Sequence, residues 1–181
     1  MIFLIYKYYY QLKVLNYKFN SILTNNTLFT IDYEGLNVEK YINKLFKKNI
    51  KIVVDIRKNA YSNKFGFTKK EFQYCLEKSG IKYIHILELG IESEKRQKLK
   101  VGSYKENSPL FGIDKNLQQL FEDYKNNLSS KQKYIDQLLE ILKQDKLVAI
   151  TCFEADYKCC HRGVLSEYLQ GFNKNIEIMN L

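Results

Sequence analysis

The sequence predicts an α/β fold: one domain with a mostly parallel central sheet flanked by helices, preceded by an N-terminal extension. Three observations predict it. Ile50–Ile56 (IKIVVDI) is a near-continuous Ile/Val run, as expected of a strand buried on both faces of a parallel sheet. Strand-like and helix-like segments alternate along the chain, which favours right-handed crossovers. The stretch Leu147–Arg162 (LVAITCFEADYKCCHR) passes from an apolar strand through a polar loop to a helix start, the arrangement that presents ligands at the carboxyl edge of such a sheet.

In chain order, residues 1–26 form an aromatic and basic extension with poor periodicity, and residues 27–181 form the domain. Leu28–Tyr33 reads as the first strand. Val38, Tyr41, Ile42, Leu45 and Phe46 recur at helical spacing, predicting a helix over Asn37–Lys48. After the Ile50–Ile56 strand comes a polar loop holding Ser62, Asn63, Lys64 and Gly66. Thr68 and Glu71 form a capping box for a helix whose core face is Phe72, Cys75 and Leu76, with Gly80 as its stop. Lys82–Ile86 is the third strand, with Tyr83 and His85 on one face and Ile84 and Ile86 on the other. Residues 91–113 lack periodicity and hold Pro109, as a lid or an irregular insertion does. Leu117, Leu120, Phe121, Tyr124 and Leu128 mark one helix. Ser129 with Gln132 opens the next, carrying Ile135, Leu138, Leu139 and Leu142. A helix from His161 to a stop at Gly171, and a last strand over Asn175–Met179, complete the chain.

The 181 residues suit one domain with a sizeable core, and the net charge is +9. Of 29 basic residues only Arg57, Arg96 and Arg162 are arginine, so the lysines read as a solvated surface and the arginines as sites that want a planar donor. No run approaches the roughly 20 apolar residues of a membrane span. The four cysteines come without a secretory signal, which predicts reduced thiols in a cytoplasmic protein.

The carboxyl edge of the sheet is expected to gather Asp55, Arg57, Ser62, His85, Glu88, Cys152, Glu154, Asp156, Cys160, His161 and Arg162. Four readings compete there. In the first, Arg57 and Arg162, with Ser62 and His85, hold an anion. Glu154 then moves a proton, and His161 or Cys152 assists. The substrate would be a phosphate-bearing small molecule or nucleic acid. In the second, Glu154 merely pairs with Arg57 or Arg162. In the third, Cys152 or Cys160 is a thiolate, Cys160 favoured by a helix N-terminus that lowers its pKa. The Cys152–Arg162 spacing is wider than the short phosphate cradle of phosphatases or sulfurtransferases. In the fourth, Cys152, Cys160 and His161 bind metal, with His85 as a further candidate ligand. Neighbouring Cys160 and His161 should diverge at a helix start, so no metal ligand is assigned, and the cofactor is left unknown. A non-catalytic nucleic-acid-binding module is the rival to an enzyme.

The order Thr30-Ile31-Asp32-Tyr33, Val54-Asp55-Ile56-Arg57, Ser62–Phe67, Gly80-Ile81-Lys82-Tyr83-Ile84-His85 with Leu89-Gly90, and Cys152-Phe153-Glu154 through Cys160-His161-Arg162 resembles the family called domain of unknown function 488, over roughly residues 28–181. Asp32 stands where that family usually has glycine. The resemblance implies an α/β fold and a polar site built from these motifs, and no settled reaction.

Overall fold

The computed structural model describes residues 26–92, 95, 115–145 and 147–181. The expected extension, up to residue 25, and nearly all of the expected lid lie outside the described residues.

Five strands form one sheet in which every pairing is parallel: β1 (Asn26–Asp32), β2 (Ile52–Asp55), β3 (Lys82–His85), β4 (Leu147–Cys152) and β5 (Ile176–Asn180), in the order β3-β2-β4-β1-β5. The described helices are α1 (Val38–Lys47), α2 (Lys69–Lys78), α3 (Lys115–Asn127), α4 (Gln132–Gln144) and α5 (His161–Phe172).

Strand alternation sends neighbouring residues of β2 to opposite cores. Val53 joins Tyr41 and Leu45 of α1 and Phe72 and Leu76 of α2 on one face. Ile52 and Val54 join Leu120 and Phe121 of α3, Leu138 of α4 and Leu165 of α5 on the other. All four residues of β2 are buried, as the Ile/Val run predicted.

Local signals explain most element ends, with four corrections. Asn37, the expected first residue of the helix, is its cap, the side chain accepting from the Lys40 N–H at 2.8 Å. Thr68 makes no side-chain cap to the backbone of α2; its hydroxyl instead donates to Glu71 Oε2 at 2.7 Å, which also accepts from the Gly66 N–H. The carboxylate thus tethers the preceding loop rather than closing a reciprocal box. Cys75 is only half-buried, so Phe72 and Leu76 carry the core face alone. Leu128–Lys131 form a tight 3-10 turn, so α4 opens at Gln132 rather than Ser129. Finally, α5 runs through Gly171 to Phe172, because an exposed helical glycine costs only about 1 kcal/mol against alanine and does not by itself end a helix.

The topology leaves a crevice at one place. β1 and β2 both lead into helices on the α1/α2 face, whereas β4, lying between them, leads into α5 on the other. Chains diverging to opposite faces from adjacent parallel strands open a cleft at their carboxyl ends. Register places Asp32 beside Cys152, and Asp55 beside both Thr151 and His85, along that edge.

Candidate functional site

At the end of β2, Asp55 and Arg57 are two residues apart and project to the same side. Asp55 is fully buried, and its carboxylate meets the Arg57 guanidinium at 2.6 Å. Arg57 Nε also donates to both Asp55 oxygens, at 2.9 and 3.0 Å. Its remaining nitrogen donates to Tyr33 Oη at 2.9 Å and to the Phe67 carbonyl at 2.8 Å. The Arg57 backbone N–H and Tyr83 Oη also donate to Asp55, at 3.0 and 2.7 Å. Burial alone would lower the Arg57 pKa, but the Asp55 carboxylate outweighs it and holds the guanidinium firmly charged. Tyr33, so held, stacks on Phe67 at 4.4 Å and meets the edge of Phe153.

The loop after β4 is fixed by different partners. Glu34 accepts from the Ala155 N–H at 2.8 Å, and the Glu34 N–H donates to the Phe153 carbonyl. Arg162, only 2% exposed on the first turn of α5, donates to the carbonyls of Glu154 and Ala155. Asp156 caps the short turn Tyr157–Cys159 through the Lys158 N–H. Gly163 is required there, because a Cβ would overlap the Tyr157 carbonyl oxygen.

These anchors converge on Cys152, Cys160 and His161. Cys152 Sγ lies 3.2 Å from Glu154 Oε2 and 3.6 Å from His161 Nδ1, and Cys160 Sγ lies 4.0 Å from the same nitrogen. His161 Nε2 sits 3.1 Å from the Ile56 carbonyl oxygen. A carbonyl only accepts, so Nε2 carries a proton and Nδ1 of the neutral ring presents its lone pair to the thiols. The Tyr124 ring packs edge-on against the imidazole at 5.6 Å. Burial, then the neighbouring Cys152, pushes the Cys160 thiol well above its ordinary pKa. The expected lowering by the helix N-terminus is therefore overridden: the sulfur is fully buried, and desolvation disfavours its thiolate.

Cys152, Glu154 and His161 line an open cleft of about 260 Å³ with Tyr33, Arg57 and Ser62. Lys58, Asn59, Tyr61, Ile91 and Phe153 complete its wall, and Tyr61 is 76% exposed at the rim. A second cleft of about 320 Å³ shares Lys58 and Ile91 with it and is lined also by Lys95, Asn127, Ser130 and Lys131. Burial, then the charges of Lys58 and Lys95, lowers the Lys131 pKa.

The expected gathering is thus real for Cys152, Glu154, His161, Arg57 and Ser62. It differs in three respects. Arg162 is not among the cleft-lining residues, and all three Arg57 nitrogens have internal partners, so the two arginines do not face each other across an anion. The buried guanidinium groups instead brace the two loops. His85 does not line the cleft either; its Nε2 meets the Arg57 carbonyl at 2.8 Å, steadying that loop from behind. Third, Cys160 and His161 do not diverge. Cys160 is extended (φ −131°, ψ 142°) rather than helical, which turns its sulfur toward the imidazole.

Lys58, Tyr61 and Lys131 were not singled out by sequence reasoning, and Tyr33 entered only as the end of the first-strand motif. Lys58 directly follows the V-D-x-R strand end, a position that could have flagged it.

A family model described as Domain of unknown function DUF488 matches residues 37–169. That span takes in the motifs from Val54 to Arg162 and leaves out Thr30–Tyr33. No curated protein and no solved structure matches the chain.

Proposed function

The chain belongs to the family described as domain of unknown function DUF488, and from its cleft we propose a thiol-dependent enzyme acting on a phosphate-bearing substrate, a nucleotide or nucleic acid. The observation that carries this reading is the Cys152–His161 pair, 3.6 Å apart at the wall of an open polar cleft, with the imidazole tautomer fixed by Ile56. Cys152 Sγ attacks the substrate's electrophilic centre, its proton passes to His161 Nδ1, and the leaving group departs with that proton. A water from the cleft then attacks the covalent intermediate, giving its proton through His161 Nδ1 to the departing Cys152 sulfur, which restores the thiol. Glu154 accepts from the resting thiol and supports the cationic imidazole formed during attack. Lys58 and Lys131, in the adjoining clefts, supply point charges for the phosphate. Tyr61 and Phe153 offer aromatic faces on which a base stacks.

The test is turnover of a panel of mononucleotides and short oligonucleotides. Cys152→Ser should abolish product formation while changing binding less than about threefold, and Lys58→Ala should weaken binding. Turnover that survives Cys152→Ser would falsify the reading. Salt-sensitive binding with no product from wild type would favour the second reading, a nucleic-acid-binding module, which the exposed Tyr61 beside Lys58 supports.

A further inference from the structure

The reading above uses one thiol, yet the site holds two. Cys152, Cys160 and His161 offer three ligand atoms that all lie within 4.8 Å of one another, and all three residues are buried. Ligand atoms around a tetrahedral Zn²⁺ are roughly 3.3–3.8 Å apart, given bonds of about 2.0–2.3 Å. The distances of 3.6 and 4.0 Å from His161 Nδ1 to the two sulfurs already approach that range. The imidazole is also oriented as a metal-bound histidine is: one nitrogen faces the sulfurs, and the other donates to a backbone carbonyl, here Ile56.

We propose that Cys152, Cys160 and His161 bind one thiophilic divalent cation of the Zn²⁺ class, with a fourth position facing the cleft beside Glu154. Binding releases two protons, one from each thiol, and leaves a site with no net charge: two thiolates, one neutral imidazole and one dication. It gives two adjacent buried sulfurs a common partner. Two sulfurs and one imidazole nitrogen favour Zn²⁺ or Co²⁺ over Mg²⁺ or Ca²⁺, which want oxygen. With the cation bound, the Cys152 lone pair is committed to the metal, so the cation is a reversible off-switch for the thiol. That regulatory consequence rests on the proposed function; the metal site itself does not.

The test uses the full chain, reduced and stripped with a chelator, titrated with Co²⁺ and then Zn²⁺. One Co²⁺ per chain should bind with a tetrahedral visible spectrum and a thiolate charge-transfer band, and Zn²⁺ should bleach both. Cys160→Ser and His161→Asn should each weaken binding at least about tenfold. Circular dichroism of each variant confirms that it is folded. Absence of the thiolate band in reduced wild type, or its survival undiminished in folded Cys160→Ser, would overturn the site. Iodoacetamide labelling of Cys152 separates the two claims. Zn²⁺ should protect Cys152 in wild type and fail to protect it in Cys160→Ser. A Cys152 that stays unlabelled even without metal sinks the thiol enzyme and leaves the Co²⁺ result standing.

Discussion

His161 Nε2 lies 3.1 Å from the carbonyl oxygen of Ile56, so the first residue of α5 is keyed to the end of β2, across more than a hundred positions of chain. This contact selects the tautomer and aims Nδ1 at Cys152. Replacing the imidazole with an amide removes the base. His161→Gln should slow iodoacetamide labelling of Cys152 at neutral pH, in metal-free protein, by about tenfold or more. Peptide mass spectrometry over a time course reads the rate, and an unchanged rate would show that His161 does not activate the thiol.

The Asp55–Arg57 pair is buried on both sides, at 0% and 5% exposure. Such a pair gains little over an apolar replacement, but losing one partner strands the other. Asp55→Asn should therefore destabilise the fold by about 3–5 kcal/mol, measured by urea unfolding. It should also loosen Tyr33 and Phe67, which Arg57 holds directly or through a carbonyl. The double change Asp55→Leu with Arg57→Met should cost less than Asp55→Asn alone. A double variant clearly weaker than the single one would mean that the network contributes more than charge balance.

The strand pattern was legible because burial on both faces leaves an unbroken apolar run, and β2 and β4 carry one each. The carboxyl edge followed from alternation, so Asp55, Arg57, Cys152 and Glu154 were found at the right end of the sheet. What each side chain does there was less legible. Positions i and i+2 of a strand end share a side, which could have shown Arg57 folding back on Asp55. Nothing local shows that Tyr33 and the Phe67 carbonyl would take its other donors. The helix start at His161 was legible, but not the extended conformation of Cys160 just before it, which turns the Cys160 sulfur toward the imidazole.

Gly90 packs against the backbone just beyond β2, where a Cβ would overlap Lys58 N and approach the Ile56 carbonyl that holds His161. The obstacle is main chain rather than a flexible side chain, so it yields only if the loop moves. Gly90→Ala should destabilise the protein by about 1–3 kcal/mol. It should also perturb the cleft more than its distance from Cys152 suggests, slowing Cys152 labelling as His161 loses register. Gly171→Ala is the control: no atom lies within 4 Å of its Cβ position, and it should be neutral or slightly stabilising.

Cys160 gives the fold a pH dependence whose sign follows from its raised pKa. The unfolded chain ionises this thiol at its ordinary value near 8.5, whereas the folded chain resists ionising it. Its contribution is therefore complete below about pH 8 and is lost as pH rises toward the folded value, at up to about 1.4 kcal/mol per pH unit. The neighbours facing it are Cys152, His161 and Tyr124, and burial raises the Tyr124 pKa above its ordinary value as well. Urea unfolding of metal-free protein between pH 7.5 and about 9.5 should show stability falling with pH in wild type. Cys160→Ala should have the shallower slope, whatever its lower starting stability. Equal slopes would mean that the Cys160 sulfur is better solvated than its position between β4 and α5 implies. Repeating the series with saturating Zn²⁺ should change the dependence in wild type and leave Cys160→Ala much as it was, since only wild type then holds both sulfurs as metal-bound thiolates.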